Sequence, residues 1–163
     1  MSSTTIIAPL QRRFPVKVEL SRPLLMVDTA ASVLDQTPLE ILEHITSRDI
    51  NWAWDIGLGE TRSEIRIFFK CVSGFQATGV TDNLSGEPEH KIYGHILARE
   101  HKPFIKGTRL QNILACSKQL VIDLIEADEL TVLPGTKWNR GRNGTPLIQK
   151  DSVVRFLKAR RLI

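Results

Sequence analysis

Cysteine is scarce in this chain of 163 residues: Cys71 and Cys116 are the only two. Two cysteines cannot build a disulfide framework, and free thiols suit a reducing compartment. Neither sits in a Cys-x-x-Cys pair, and His44, His90, His95 and His101 share no recognised ligand spacing with them. His90 and His95, five apart, fall on different sides of a helix, so no metal is expected. The chain also lacks a Gly-x-x-x-x-Gly-Lys-Ser/Thr loop, a His-Glu-x-x-His pair, and any evident Ser-His-Asp or paired-acid arrangement. No cofactor and no catalytic residue is therefore expected, and the chain reads as a non-enzyme. No apolar run approaches the roughly 18 residues that span a bilayer. Ile6 and Ile7 precede Arg12 and Arg13, the reverse of a signal peptide's order, so the expected location is the cytoplasm with no membrane partner.

Charge is present but uneven. The formal net charge is only +4. Residues 101–163 hold 12 basic and 5 acidic side chains, a net +7, whereas the first hundred hold 10 and 13, a net −3. The basic residues of the last segment cluster as Lys137, Arg140 and Arg142, then as Arg155, Lys158, Arg160 and Arg161. A local excess supplies counterion-release affinity for phosphate backbones that an evenly spread +4 would not. A solvated basic face is the plainer alternative.

Along the chain, residues 1–20 read as an arm that ends in a short strand, Val16–Leu20. Thr29 is expected to cap a short helix running through Ala30, Ala31, Val33 and Leu34. After the turn Asp35-Gln36-Thr37, Thr37 caps a second helix with Pro38 in its first position and Ile41, Leu42 and Ile45 on one face. Trp52–Ile56 and Glu64–Phe68 alternate as strands of a hairpin. Trp52 and Trp54 share one strand face, as core, interface or base-stacking platform. Residues 73–88 are rich in Gly, Ser, Thr, Asp and Asn and read as a loop; Glu89–Arg99 comes next as a helix, or Ile92–Leu97 as a strand.

A shift of 80 residues sets Leu34 on Leu114, Thr37 on Ser117, Ile41 on Val121, Ile45 on Ile125 and Ile50 on Leu130. Short helix, hydroxyl-capped turn, second helix and strand recur in the same order, a repetition of residue classes rather than of sequence. In the later copy Thr108 begins a helix over Arg109–Leu114, and Ser117 caps another from Lys118 to about Ala127. Two short helices so joined form a helix-turn-helix, whose second helix fits the DNA major groove with its first residues nearest the bases. Those residues are Ser117, Lys118 and Gln119; Lys can donate to guanine and Gln can pair with adenine. Leu130–Leu133 and Thr145–Ile148 are strands flanking a basic, glycine-rich loop, Pro134–Gly144, which carries Lys137, Trp138, Arg140 and Arg142. Such a loop suits a wing that touches phosphates or the minor groove. Asp151-Ser152 opens a last helix, Val153–Arg161.

Residues 103–163 thereby resemble the winged helix-turn-helix of excisionases and MerR-type regulators. The resemblance rests on Ile105-Lys106-Gly107, Cys116-Ser117, Val121–Ile125, Glu129-Leu130, the basic hairpin and Asp151–Leu157. Residues 24–72 look like a divergent copy with an acidic second helix, Glu40 and Glu43, and few cations in the hairpin. The fold class expected is mostly α with small β-hairpins (α+β), as two tandem winged helix-turn-helix domains. The expected division is an arm at 1–20, a divergent domain at 21–75, a linker at 76–100 and a basic domain at 101–163. The resemblance implies a sequence-specific binder of double-stranded DNA, an excisionase-like recombination directionality factor or a transcription regulator of a mobile element. It also implies a nucleoid-associated place in a bacterial, archaeal or phage setting. Lys106, Arg109, Lys137, Trp138, Arg140 and Arg142 are the expected wing and backbone contacts, and Arg48, Arg62 and Arg66 (with Lys70 beside them) the candidates from the first domain. An integrase, or a second copy bound through the first domain, is the candidate protein partner. The rival expectation is a protein–protein adaptor that uses the acidic domain and its tryptophans.

Overall fold

Thr37-Pro38-Leu39-Glu40 is the strongest local instruction in the chain, and the computed structural model, which describes residues 22–59, 62–73, 84, 86–138 and 144–162, obeys it. The expected arm and its Val16–Leu20 strand lie outside the described residues. Helix α2, Pro38–Thr46, begins with a reciprocal cap: the Glu40 N–H donates to Thr37 Oγ1 at 3.2 Å, and the Thr37 N–H donates to Glu40 Oε1 at 3.2 Å. The preceding helix α1, Val27–Leu34, ends at Asp35, which takes the left-handed conformation with φ 53°. It starts two residues before Thr29, with Met26 at the cap position and no side-chain cap bond. Strand β1, Leu24–Met26, runs straight into the helix, which leaves no turn for Thr29 to cap.

The same plan recurs 80 residues on. Strand β4, Phe104–Lys106, leads into α5, Gly107–Leu114, then α6, Lys118–Glu126, against β1, α1 and α2. Ala115 stands in the left-handed conformation like Asp35, and Asp128 (φ 60°) like Arg48 (φ 67°). Thr108 is again internal to its helix rather than its cap. In the first half, β2 (Ala53–Asp55) and β3 (Ile65–Phe68) complete an antiparallel sheet of order β1-β3-β2, with Leu25 opposite Ile67 and Ala53 opposite Ile67. In the second half, β4 pairs with β5, Leu147–Gln149, with Ile105 opposite Ile148. The third strand expected at Leu130–Leu133 is reduced to one bridge, Val132 to Ile148. Even the strand exits match: Phe69 N–H donates to the Pro23 carbonyl and Lys150 N–H to the Pro103 carbonyl. The described chain is thus mostly helical, with small antiparallel sheets.

Beyond their sheets the two halves differ. In the first, α3 is a single turn, Lys70–Ser73; α4, Glu89–Ile96, comes next and buries Ile92, Tyr93, Ile96 and Leu97. The helical alternative for this segment is the one observed, and Gly94 faces solvent, where a missing side chain leaves no hole. In the second half, α7, Lys150–Arg160, ends on the first half's sheet: Arg161 bridges Trp54, and the Leu162 N–H donates to the Ala53 carbonyl at 2.8 Å. One apolar core runs through both halves and α4. Trp52 and Trp54 belong to it, 2% and 0% exposed, so they offer neither a partner surface nor a stacking platform. Their indole N–H groups donate to the Leu84 carbonyl and the Tyr93 hydroxyl, which explains how two tryptophans can be buried side by side.

Two polar side chains are buried among the described residues, Ser152 and, 4% exposed on β3, Arg66. Its Nε donates to the carbonyls of Leu114 (2.9 Å) and Ala115 (3.2 Å), and its Nη2 to Ala115 again (2.8 Å) and to Glu64 Oε1 (3.1 Å). A guanidinium from the first half therefore closes the C-terminus of α5 in the second, where carbonyls lack helical partners and the dipole favours a cation. Arg66 is accordingly not a DNA contact, because its donors are spent inside the protein. Removing it strands buried carbonyls and takes from Glu64 one of its two cationic partners, leaving Arg62. Arg66→Ala is expected to cost about 3–5 kcal/mol, a large part of a typical domain's stability. Arg66→Lys should recover little, since one ammonium cannot span the fork. Urea midpoints at constant m-value measure this, and a loss below about 1 kcal/mol for Arg66→Ala would contradict it.

Candidate nucleic-acid interface

Ser117, Lys118 and Gln119 are exposed at the start of α6. Ser117 Oγ accepts from the Leu120 N–H at 3.1 Å, so the hydroxyl acts first as the helix cap. Gln119 Nε2 donates to Asp123 Oδ1 at 2.8 Å, one turn along. Leu120, Val121 and Leu124 face the core, which turns the first turn's polar side chains outward. Lys118 meets the hairpin: its Nζ lies 5.2 Å from the centre of the Trp138 ring. Such cation–π contacts contribute about 0.5–1 kcal/mol at exposed sites and hold a flexible lysine in place.

The hairpin turns sharply at Leu133-Pro134-Gly135-Thr136. Gly135 has φ 86°, open to glycine and strained for other residues, and the Thr136 N–H donates to the Leu133 carbonyl at 3.2 Å. Thr136 Oγ1 also donates to that carbonyl and accepts the Leu147 N–H, tying the two arms together. Lys137 beyond the turn is exposed, while Trp138 is half-buried over the start of α5. Gly107 makes the seat. A Cβ there would stand 2.7 Å from Trp138 Cζ2 and 3.0 Å from Pro146 Cγ. Trp138 is therefore a prop under Lys118 as much as a contact. Arg140 and Arg142 lie outside the described residues.

The remaining expected contacts separate. Lys106 is exposed at the head of α5. Arg109 is partly exposed and ion-paired to Glu100 Oε2 at 2.7 Å. Arg62 pairs with Glu64 and approaches Asp123 at 3.9 Å. Arg48 is exposed beyond α2, and Arg66 is buried as described. Lys70 is exposed on α3. Half of the basic C-terminal cluster is spent inside the protein. Arg160 donates to the Gly57 carbonyl and to Glu129 Oε1, and Arg161 donates to the Asn51 carbonyl with its guanidinium 3.4 Å above the Trp52 ring. Arg155 and Lys158 stay exposed.

The equivalent surface of the first half is apolar and acidic. Pro38 and Leu39 replace Lys118 and Gln119, and Leu39 (65% exposed) and Leu42 (36%) lie one turn apart beside Glu40 and Glu43. Sequence patterning signals the acid but not the exposed leucines, since spacing alone puts Leu42 on the helix's buried face with Ile41 and Ile45. Also unsignalled is a cleft of about 600 Å³ where the halves meet, lined by Arg22, Phe69, His95, Arg99, Glu100 and Arg109. These residues are far apart in sequence and belong to no motif.

Among the described residues, no group of three His, Cys, Asp or Glu side chains is placed to hold a metal ion, and no helix is long and apolar enough to cross a membrane. Compared with protein-family models, curated proteins and solved structures, the chain gives no significant match.

Cys71 is fully buried. Burial also pushes the Cys116 thiol up to about 11, with Arg66 pulling weakly the other way. Thiolate is the reactive form, so below that value the folded protein should alkylate slowly with iodoacetamide at mildly alkaline pH, and fast in urea. Rapid labelling of native Cys116 would contradict the packing around Arg66. Gly107→Ala is expected to dislodge Trp138, red-shift its emission and cost about 1–3 kcal/mol. An unchanged spectrum and melting temperature would show that the ring does not need this seat.

Proposed function

We propose that the chain is a sequence-specific double-stranded DNA-binding protein built from two winged helix-turn-helix units, of which the second, residues 101–163, engages DNA. Helix α6 would enter the major groove with Ser117, Lys118 and Gln119, and the hairpin after it would serve as the wing, with Lys137, Arg140 and Arg142 on phosphates or in the minor groove. One observation carries this: Lys118, in the first turn of α6, lies 5.2 Å from the centre of the Trp138 ring, so the helix start and the base of the hairpin meet. A helix pair used only for packing has no need of a cation so placed. The net +7 of this segment supplies the long-range attraction. Lys106 and Arg109 would touch the flanking backbone. Within this function an excisionase-like, recombination-directing or DNA-bending role is preferred to that of a transcription regulator, because the described residues hold no ligand-binding domain or long coiled coil.

The exposed leucines of α2 favour a protein partner for the first unit. That partner would be an integrase or a second copy of the chain, recruited through Leu39 and Leu42 while the second unit holds DNA. The adaptor alternative, in which neither unit binds DNA, would rest on the same leucines and no longer on the buried tryptophans.

Affinity for duplex DNA should fall steeply with salt, by about 0.9 in log–log slope per phosphate contact. Changing Lys137, Arg140 and Arg142 together to Ala should flatten that slope by about 2–3 and weaken binding to all sequences alike. Lys118→Ala should instead cost about 1–3 kcal/mol on the preferred sequence and narrow the gap to random DNA. Binding that survives the triple change with the slope intact would overturn the wing assignment.

A further inference from the structure

We propose that the cleft between the two halves is a phosphate seat, in which the guanidinium groups of Arg22 and Arg99 clasp the anion beside Arg109. Three segments build it. Arg22 precedes β1 and Phe69 follows β3 at one end of the first sheet, His95 and Arg99 come from α4 and its exit, and Arg109 from the first turn of α5. The cleft, about 600 Å³, is large enough for a phosphate with its attached sugar. Arg109 is neutralised and oriented by Glu100, whose carboxylate is 11% exposed, at 2.7 Å. Arg22 and Arg99 are exposed and have no ion pair among the described residues, and Glu100, the carboxylate of the lining, is paired with Arg109.

Cationic side chains that share one cleft suit an anion between them, and the planar fork of arginine matches tetrahedral oxyanions by paired hydrogen bonds. One wall is aromatic: Phe69 and His95 stack with ring centres 5.5 Å apart and planes at 26°. Burial, and then the nearby Lys70, hold the His95 imidazole below its ordinary pKa. It therefore stands neutral at physiological pH, and the cleft's charge rests on the arginines. A neutral imidazole can still give one N–H to a phosphate oxygen.

Two sources could supply the phosphate: the backbone of duplex DNA running past the second unit, or a free phosphorylated small molecule. The first rests on the DNA-binding proposed above; the second does not. The full-length Arg22→Gln/Arg99→Gln protein distinguishes them, because both residues are exposed and its melting temperature should match the parent's. If the seat takes a DNA phosphate, the salt slope for duplex binding falls by about 2 while the preference among sequences stays unchanged. If it takes a free phosphorylated ligand, that slope is unaltered, but inorganic phosphate shifts the His95 ring protons of the parent in NMR and not those of the double variant. Should the parent bind no duplex at all, the DNA assignment falls and the phosphate titration alone decides. An unaltered slope together with no phosphate-dependent shift at His95 overturns the proposal.

Discussion

The two halves of this molecule are held in one arrangement by a charge placed where charge is normally costly. Arg66 leaves the sheet of the first half nearly dry and is tolerable there only because carbonyls of Leu114 and Ala115 and the carboxylate of Glu64 receive its donors. The helix C-terminus gains as much from the contact as the arginine does, since its carbonyls would otherwise be buried without partners. The left-handed Ala115 matters in the same way: it breaks the helix where the guanidinium waits and begins the three-residue turn to α6. Arg66 therefore closes the first helix of the pair whose second helix presents Lys118. The C-terminal residues complete the joint from the other side, with Arg160, Arg161 and Leu162 bonded to the first half's sheet and hairpin.

Repetition with divergence is the second theme. Both halves use the same β-α-α order, the same left-handed break and a hydroxyl cap at equivalent positions, Thr37 and Ser117. These features belong to the backbone and its termini, where few residue types serve. The outward faces carry no such constraint, and there the halves part: leucine and glutamate on α2, lysine and glutamine on α6. The two halves thus present unequal surfaces on one shared core.

Much of this was legible in the sequence, for local reasons. The Thr-Pro-Leu-Glu capping signal located the start of α2 to the residue, though the helix ends at Thr46, before the Asp49-Ile50-Asn51 stop the sequence offers, and alternating apolar residues located β2 and β3. The offset of 80 residues, drawn from residue classes alone, recurs in the helix boundaries. Three things were not legible. Helices α1 and α5 start earlier than Thr29 and Thr108 suggest, because the chain enters each straight from a strand and no side-chain cap is used. Arg66, Arg160 and Arg161 look in sequence like any surface cation; only the fold shows carbonyls waiting for them. Alternation left Trp52 and Trp54 as core, interface or stacking platform, and what seats them in the core, N–H partners 32 and 39 residues away, is beyond the reach of local patterning. The cation–π contact of Lys118 with Trp138 is of the same long-range kind and depends on Gly107, whose importance comes from the ring above it.

Labour is divided between the halves in this reading, with DNA on the second and the first turned to something else. Amide hydrogen exchange of the full chain, with and without a duplex it binds, addresses that division without any substitution. New protection is expected at residues 117–123 and along the hairpin at 136–147, with unchanged exchange across 37–46 on α2. Protection of α2 equal to that of α6, or protection of α2 alone, would contradict it.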